Sequence, residues 1–136
     1  MVEHVASGTV HDSGPGSLKV EITTGGQTFP GDEPVDQGGT GLGPNPYDLL
    51  SAALATCTTM TLRLYADHKA WPLEHISVSV NHRKETGATP PDVFHRSVTL
   101  SGPLDEGQRQ RLLQIAERCP VHRTLTTSSR IITEQG

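Results

Sequence analysis

The chain has 136 residues, a length that suits one domain, and its net charge of −4 and pI near 5.9 mark an acidic protein. It carries no basic stripe for nucleic acid or a membrane surface, and no apolar run approaches the roughly 18 residues of a membrane span. Hydrophobic residues make up 33% and aromatics 4%, a lean core that favours burial against a second subunit. The start, Met1-Val-Glu-His-Val-Ala-Ser, lacks the charged and apolar regions of a signal peptide, so the expected compartment is cytoplasmic. No internal repeat, linker or low-complexity tract interrupts residues 1–136, which are read as a single domain.

The first third predicts strands and turns. Val2–Val10 alternates weakly, and Ser17–Thr23 alternates cleanly with Leu18, Val20 and Ile22 on one face. Gly25-Gly26 supplies a tight hairpin turn into Gln27-Thr28-Phe29. Pro30 to Gly43 reads as loop, with its glycines there for flexibility. A long helix is predicted from Pro46 to about Lys69. Asn45 suits the N-cap, Pro46 the first helical position, and Asp48 the third, where a carboxylate meets the positive end of the helix dipole. Leu50, Ala53, Leu54, Cys57, Met60, Thr61 and Leu64 recur at helical steps, with Leu49, Ala52 and Ala55 as a second apolar flank. A helix apolar on more than one side calls for burial on more than one side.

Beyond Lys69-Ala-Trp-Pro72, the residues Ile76, Val78 and Val80 alternate as a strand, and Phe94–Leu100 returns as its hairpin partner. Asp105 and Gln108 form a capping-box pattern for a helix on which Leu112, Leu113, Ala116 and Cys119 face inward. Pro120 breaks that run, Val121–Leu125 makes a short helix, and Ser129–Thr133 is expected as a closing strand. The order β-β-β-α-β-β-α-α-β predicts an α+β domain with helices on one sheet face.

Two cysteines, Cys57 and Cys119, stand 62 positions apart. A thiolate is the reactive form of cysteine. Cys57 lies about three turns inside its helix, beyond the reach of the dipole, and so needs a cation from elsewhere in the fold. Cys119 precedes Pro120 at a candidate N-cap, where unpaired backbone N–H groups favour a thiolate. On these residues alone three readings stand. The pair is a redox couple, or two small hydrophobes in a core, or a structural disulfide. Such a disulfide, closing about 60 residues, would contribute roughly 4 kcal/mol. Cys119-Pro-Val-His122 offers one half of a metal site without a second half, and the histidines at positions 4, 11, 68, 75, 82 and 95 show no ligand spacing. No metal or cofactor is expected. Gly38-Gly-Thr-Gly-Leu-Gly43 lacks the ending of a phosphate-binding loop.

The segment Gly43-Pro-Asn-Pro-Tyr-Asp-Leu-Leu-Ser-Ala-Ala-Leu-Ala-Thr-Cys57-Thr-Thr-Met-Thr-Leu-Arg-Leu-Tyr-Ala66 strongly resembles the OsmC/Ohr family of osmotically inducible and organic hydroperoxide resistance proteins. Arg118-Cys119-Pro-Val-His-Arg-Thr-Leu125 resembles its second cysteine segment, and Asp32-Glu-Pro with Gly38-Gly-Thr40 resembles its OsmC-like branch. The resemblance implies an intertwined homodimer of α+β subunits, built on an antiparallel sheet with a long central helix. It also implies thiol-dependent reduction of organic hydroperoxides in oxidative stress defence. In that scheme Cys57 is the peroxidatic cysteine and Cys119 the resolving one, and a dithiol reductant, lipoyl or a small thiol, restores both. Two other readings go with the same fold: a small-ligand-binding protein without turnover, and a thiol redox sensor.

The chain departs from that pattern in two places. Tyr47 stands ten residues before Cys57, where the peroxidases carry Glu, and no Arg precedes Arg63. Asp48 is the nearest carboxylate, as a charge partner or as a helix cap. Arg83, Arg96 and Arg123 are the candidate replacement cations, with Arg123 nearest Cys119 in sequence.

Overall fold

The computed structural model describes residues 5–136. They fall into two compact units, one ending at Leu49 and the other starting at Leu50.

The first unit is a three-stranded antiparallel sheet in the order β1-β2-β3, from β1 (Thr9–Asp12), β2 (Val20–Thr24) and β3 (Gln27–Gly31). Gly25 and Gly26 both take positive φ, 57° and 76°, between the paired residues Thr24 and Gln27. Two left-handed residues match the twist of the flanking strands, which is why this hairpin selects a Gly-Gly pair. Pro30 sits opposite Glu21 on β3, an edge strand where a missing N–H is tolerated. The strand expected at Ser17–Thr23 begins later, so Leu18 falls outside it and is exposed, while Ile22 is buried. Of the strand expected at Val2–Val10, residues 2–4 lie outside the described residues, and pairing starts only at Thr9.

The stretch after β3 is organised around one side chain. The Asp32 carboxylate accepts backbone N–H groups from Glu33 at 2.8 Å and from Thr40 and Leu42, both at 3.2 Å, as well as the Thr40 hydroxyl. A short 3-10 turn, Val35–Gln37, lies within the loop so formed. Flexibility is not what its glycines provide. A Cβ on Gly39 would collide with the Glu33 carbonyl, and one on Gly43 with the Pro30 carbonyl. Backbone approaches backbone at both positions, and only glycine leaves the room.

Helix α1 (Pro46–His68) starts as its punctuation predicts. Asn45 Oδ1 accepts the Asp48 N–H at 2.7 Å, and the Asp48 carboxylate accepts the Asn45 N–H at 2.9 Å, a reciprocal cap that satisfies two otherwise unpaired donors. At the far end Ala70 takes a φ of 56° and the Trp71 N–H reaches back to the Ala66 carbonyl at 2.9 Å, closing the helix as a left-handed residue does.

In the second unit β4 (His75–Lys84) and β5 (Asp92–Ser101) pair antiparallel along their whole length, His75 opposite Ser101 and Lys84 opposite Asp92. Helix α2 (Glu106–Ala116) opens on the predicted capping box, with Asp105 accepting the Gln108 N–H at 2.7 Å and Gln108 accepting the Asp105 N–H at 3.0 Å. Helix α3 (Pro120–Thr126) follows. The core joins Leu62 and Ala66 of α1 to Leu73, Leu104, Leu112, Ile115 and Ala116, with Ile76, Val98 and Leu100 of the hairpin packed against it. Leu62 and Leu112 are completely buried, each contributing about 2 kcal/mol by removal of apolar surface from water.

Three expectations are corrected. The buried face of α1 is Ser51, Leu54, Thr58, Leu62 and Ala66, so the apolar stripe read from the sequence shares only Leu54 with it. The polar Ser51 and Thr58 disguised this face. Leu113 does not face inward with Leu112 but is exposed; Ile115 takes the inward place. Ser129–Thr133 forms no strand, since among the described residues nothing pairs with it, and Ile131 and Ile132 are exposed.

Candidate active site

Both cysteines are free thiols, Cys57 half-buried and Cys119 buried. Cys57 lies on α1 one residue before Thr58, hence at the edge of the helix's buried face. Cys119 is the N-cap of α3 in an extended conformation, with Pro120 at the first helical position. Its sulfur accepts the His122 backbone N–H at 3.3 Å. The place at which proline ends one helical run and starts another is therefore what fixes this sulfur. On its other side the sulfur lies 3.7 Å from Thr58 Oγ1. A contact from the start of α3 thus joins one cysteine to the immediate neighbour of the other.

A cation reaches the same point. Arg96 donates from Nη1 to Thr58 Oγ1 at 3.0 Å. Its Nη2 lies 3.1 Å from His122 Nδ1 and 3.3 Å from Glu117 Oε2, and His122 Nε2 lies 3.3 Å from the same carboxylate oxygen. A guanidinium only donates. His122 Nδ1 must therefore accept, which puts the ring proton on Nε2. The Arg96 side chain is only 11% exposed, and its hydrogen bonds to Thr58, His122 and Glu117 keep a largely desolvated charge satisfied.

Of the three candidate arginines, Arg96 is thus the one at Thr58. Arg83 pairs with Glu85 at 2.7 Å on an exposed edge, and Arg123 is exposed on α3. Asp48 is occupied with the cap of α1. Thr58 and Glu117 do not stand out as site residues in the sequence, and His122 does so only as one half of a metal site. A signal for Arg96 and Thr58 is nonetheless present in it. In Phe94-His-Arg-Ser-Val-Thr-Leu100 the inward phase is Phe94, Arg96, Val98 and Leu100, so an arginine occupies an apolar slot. Thr58 likewise interrupts the series Leu54, Leu62, Ala66.

A cleft of about 730 Å³ opens beside this cluster, lined by Leu54, Phe94, Val98, Arg96, Glu117 and His122 among others. Its lining mixes apolar with charged side chains and includes neither cysteine. Asp92 also lines it, and His82, whose Nε2 is 2.8 Å away, holds the Asp92 carboxyl below its ordinary value, burial opposing and Lys84 assisting. Among the described residues no group of three or more His, Cys, Asp or Glu side chains is placed to hold a metal ion, and no helix is long and apolar enough to cross a membrane.

Antiparallel sheets, one long helix with a cysteine at the edge of its buried face, and a second cysteine capping a short helix define an α+β protein with a thiol on each of two helices. Residues 39–134 match the family model described as OsmC-like protein, well over half of the chain and across both units, so the chain belongs to the OsmC-like family. Solved structures share the fold. An organic hydroperoxide resistance protein OsmC from Legionella pneumophila has 22% identity, covers 93% of this chain and 92% of its own, and superposes with a TM-score of 0.70. The organic hydroperoxide resistance protein OhrB of Bacillus subtilis has 26% identity over 90% and 91%, with a TM-score of 0.59. An OsmC-like protein from Mycoplasma pneumoniae has 19% identity over 91% and 87%, with a TM-score of 0.66. No curated protein matches the chain.

Proposed function

We propose that this chain is a single OsmC-like domain that reduces organic hydroperoxides through its two thiols. The Cys57 thiolate attacks the peroxide, the O–O bond breaks, an alcohol leaves and Cys57 becomes a sulfenic acid. Cys119 then condenses with it; the S–S bond forms, the S–O bond breaks and water leaves. A lipoyl or small-molecule dithiol reduces the disulfide by exchange. The observation that carries this reading is the 3.7 Å approach of Cys119 Sγ to Thr58, next in sequence to Cys57, with the Arg96 guanidinium on the same hydroxyl. It gives Arg96 the part of the positive group near the thiols. The relatives named for organic hydroperoxide resistance support the substrate class. The apolar residues of α1 around Cys57, Leu50, Leu54 and Met60, support alkyl hydroperoxides over hydrogen peroxide.

The proposal includes a homodimer. Leu50, Ala53, Cys57, Met60 and Leu64 recur at alternating steps of three and four, the spacing of a helix–helix seam. Met60 and Leu64 are 62% and 73% exposed. A second copy covering that seam would put Cys57 at the subunit boundary. The reaction belongs in the cytosol, where reductants keep thiols free.

The test is turnover of cumene hydroperoxide with a dithiol donor. Cys57→Ser abolishes it, and Cys119→Ser allows one round and then stalls. Arg96→Gln lowers the rate roughly ten- to a hundredfold, the equivalent of a hydrogen bond to a charged group. Full activity in Cys57→Ser refutes the assignment.

A further inference from the structure

Thr58 is a polar side chain in the fully buried part of α1, and its hydrogen bonds are fully accounted for. A hydroxyl has one proton to give and two lone pairs. Thr58 Oγ1 donates to the Leu54 carbonyl at 2.7 Å. The Arg96 guanidinium, which cannot accept, takes one lone pair at 3.0 Å. The remaining lone pair faces Cys119 Sγ at 3.7 Å, so in this arrangement the sulfur is the donor and Cys119 is held as a thiol aimed at Thr58. The neighbouring Thr59 makes the same bond to the carbonyl four residues back, at 2.8 Å to Ala55. The back-bond is ordinary helix behaviour; the contacts to a sulfur and a guanidinium are what Thr58 adds to it.

We propose that Thr58 is the positioning residue for the second thiol step, orienting the Cys119 S–H and solvating the sulfur as its proton leaves. This rests on the hydroperoxide reductase reading and deepens it. In the step, the Cys119 sulfur bonds to the Cys57 sulfur, the Cys57 S–O bond breaks, and the thiol proton leaves with the hydroxyl as water; no other oxidant or reductant enters. The Thr58 proton can turn from the Leu54 carbonyl to the sulfur without orphaning that carbonyl, which keeps its helical N–H bond. Arg96 polarises the hydroxyl through its oxygen and makes it a stronger donor at that moment. The His122 N–H holds the sulfur from its other side throughout.

The experiment is a single turnover with cumene hydroperoxide, reading Cys57 sulfenic acid by dimedone trapping and disulfide by mass, in wild type, Thr58→Val and Thr58→Ser. Relative to sulfenic acid formation, disulfide formation slows about tenfold or more in Thr58→Val, the effect of one hydrogen bond to a charged group. Thr58→Ser, which restores the hydroxyl, returns the ratio to within about threefold of wild type, since only a methyl group is lost. Thermal midpoints establish that both variants fold. Resolution in Thr58→Val at the wild-type ratio, or a Thr58→Ser as slow as Thr58→Val, overturns the proposal. Wild type that forms neither Cys57 sulfenic acid nor a Cys57–Cys119 disulfide overturns the reductase reading instead. Thr58 is then judged without peroxide, in a Cys57→Ser background. The rate at which Cys119 exchanges with a small aromatic disulfide should be severalfold lower in the Thr58→Val variant than in the Thr58→Ser variant, and equal rates overturn the role.

Discussion

Asp32 is a buried carboxylate made tolerable by its donors. The Thr40 hydroxyl is the largest influence holding its carboxyl below the ordinary 3.8, burial works against it, and the N–H groups of Leu42, Glu33 and Thr40 reinforce it. The charge is thereby spread over a loop in which Gly39 and Gly43 have no room for a side chain. A carboxyl whose folded value is depressed contributes its full stability above the unfolded value, and loses it as pH falls through the folded one. Thermal unfolding followed from neutral pH downward should show wild type losing stability below 3.8. Asp32→Asn should unfold at a lower temperature at neutral pH, with the gap closing in acid. A gap that stays constant with pH would contradict the charge's role. Arg96 poses the complementary case: its guanidinium is satisfied by Thr58, His122 and Glu117, which offsets the desolvation of its charge.

Among the elements, α1 carries most weight because it has two faces of different chemistry. One packs Leu62 and Ala66 into the core of the second unit and also buries Leu54 and Thr58; the other is the proposed seam Leu50, Ala53, Cys57, Met60 and Leu64. The start of this helix is legible in sequence, since Asn45, Pro46 and Asp48 state it in local chemistry alone. The faces are not, because counting apolar residues favours the seam over a core face that contains Ser51 and Thr58. For the same reason Arg96 stands out in sequence only as one of three candidate cations. Its placement depends on the register of β5 against β4, with Val80 opposite Arg96, and on where α3 delivers His122. Cys119 as the N-cap of α3 is legible, since Pro120 fixes that boundary. The closing strand is not, because alternation in Ser129–Thr133 states a preference and pairing requires a partner. A prediction belongs to the seam. Leu64→Glu places a charge in the middle of the proposed helix–helix contact, and sedimentation should show a dimeric wild type turning monomeric with its helical content kept. A monomeric wild type, or a variant that stays dimeric, would contradict the homodimer.

For the molecule as a whole, the family match covers nearly all of the second unit and the end of the first, and the chemistry proposed draws on a cysteine from α1 and a cysteine from the α2–α3 junction. In the proposed reading β5 supplies the charged group through Arg96, which reaches Thr58 Oγ1 at 3.0 Å, in a chain with Tyr47 ten residues before Cys57 and no arginine before Arg63. What this account stands on is that oxidation links the two sulfurs. The most direct measurement is peptide mapping by mass spectrometry after one equivalent of cumene hydroperoxide. A Cys57–Cys119 disulfide in wild type, and sulfenic acid on Cys57 in Cys119→Ser, is the predicted result. Hydroperoxide that leaves Cys57 a free thiol, or that oxidises it without ever joining it to Cys119, would contradict the account.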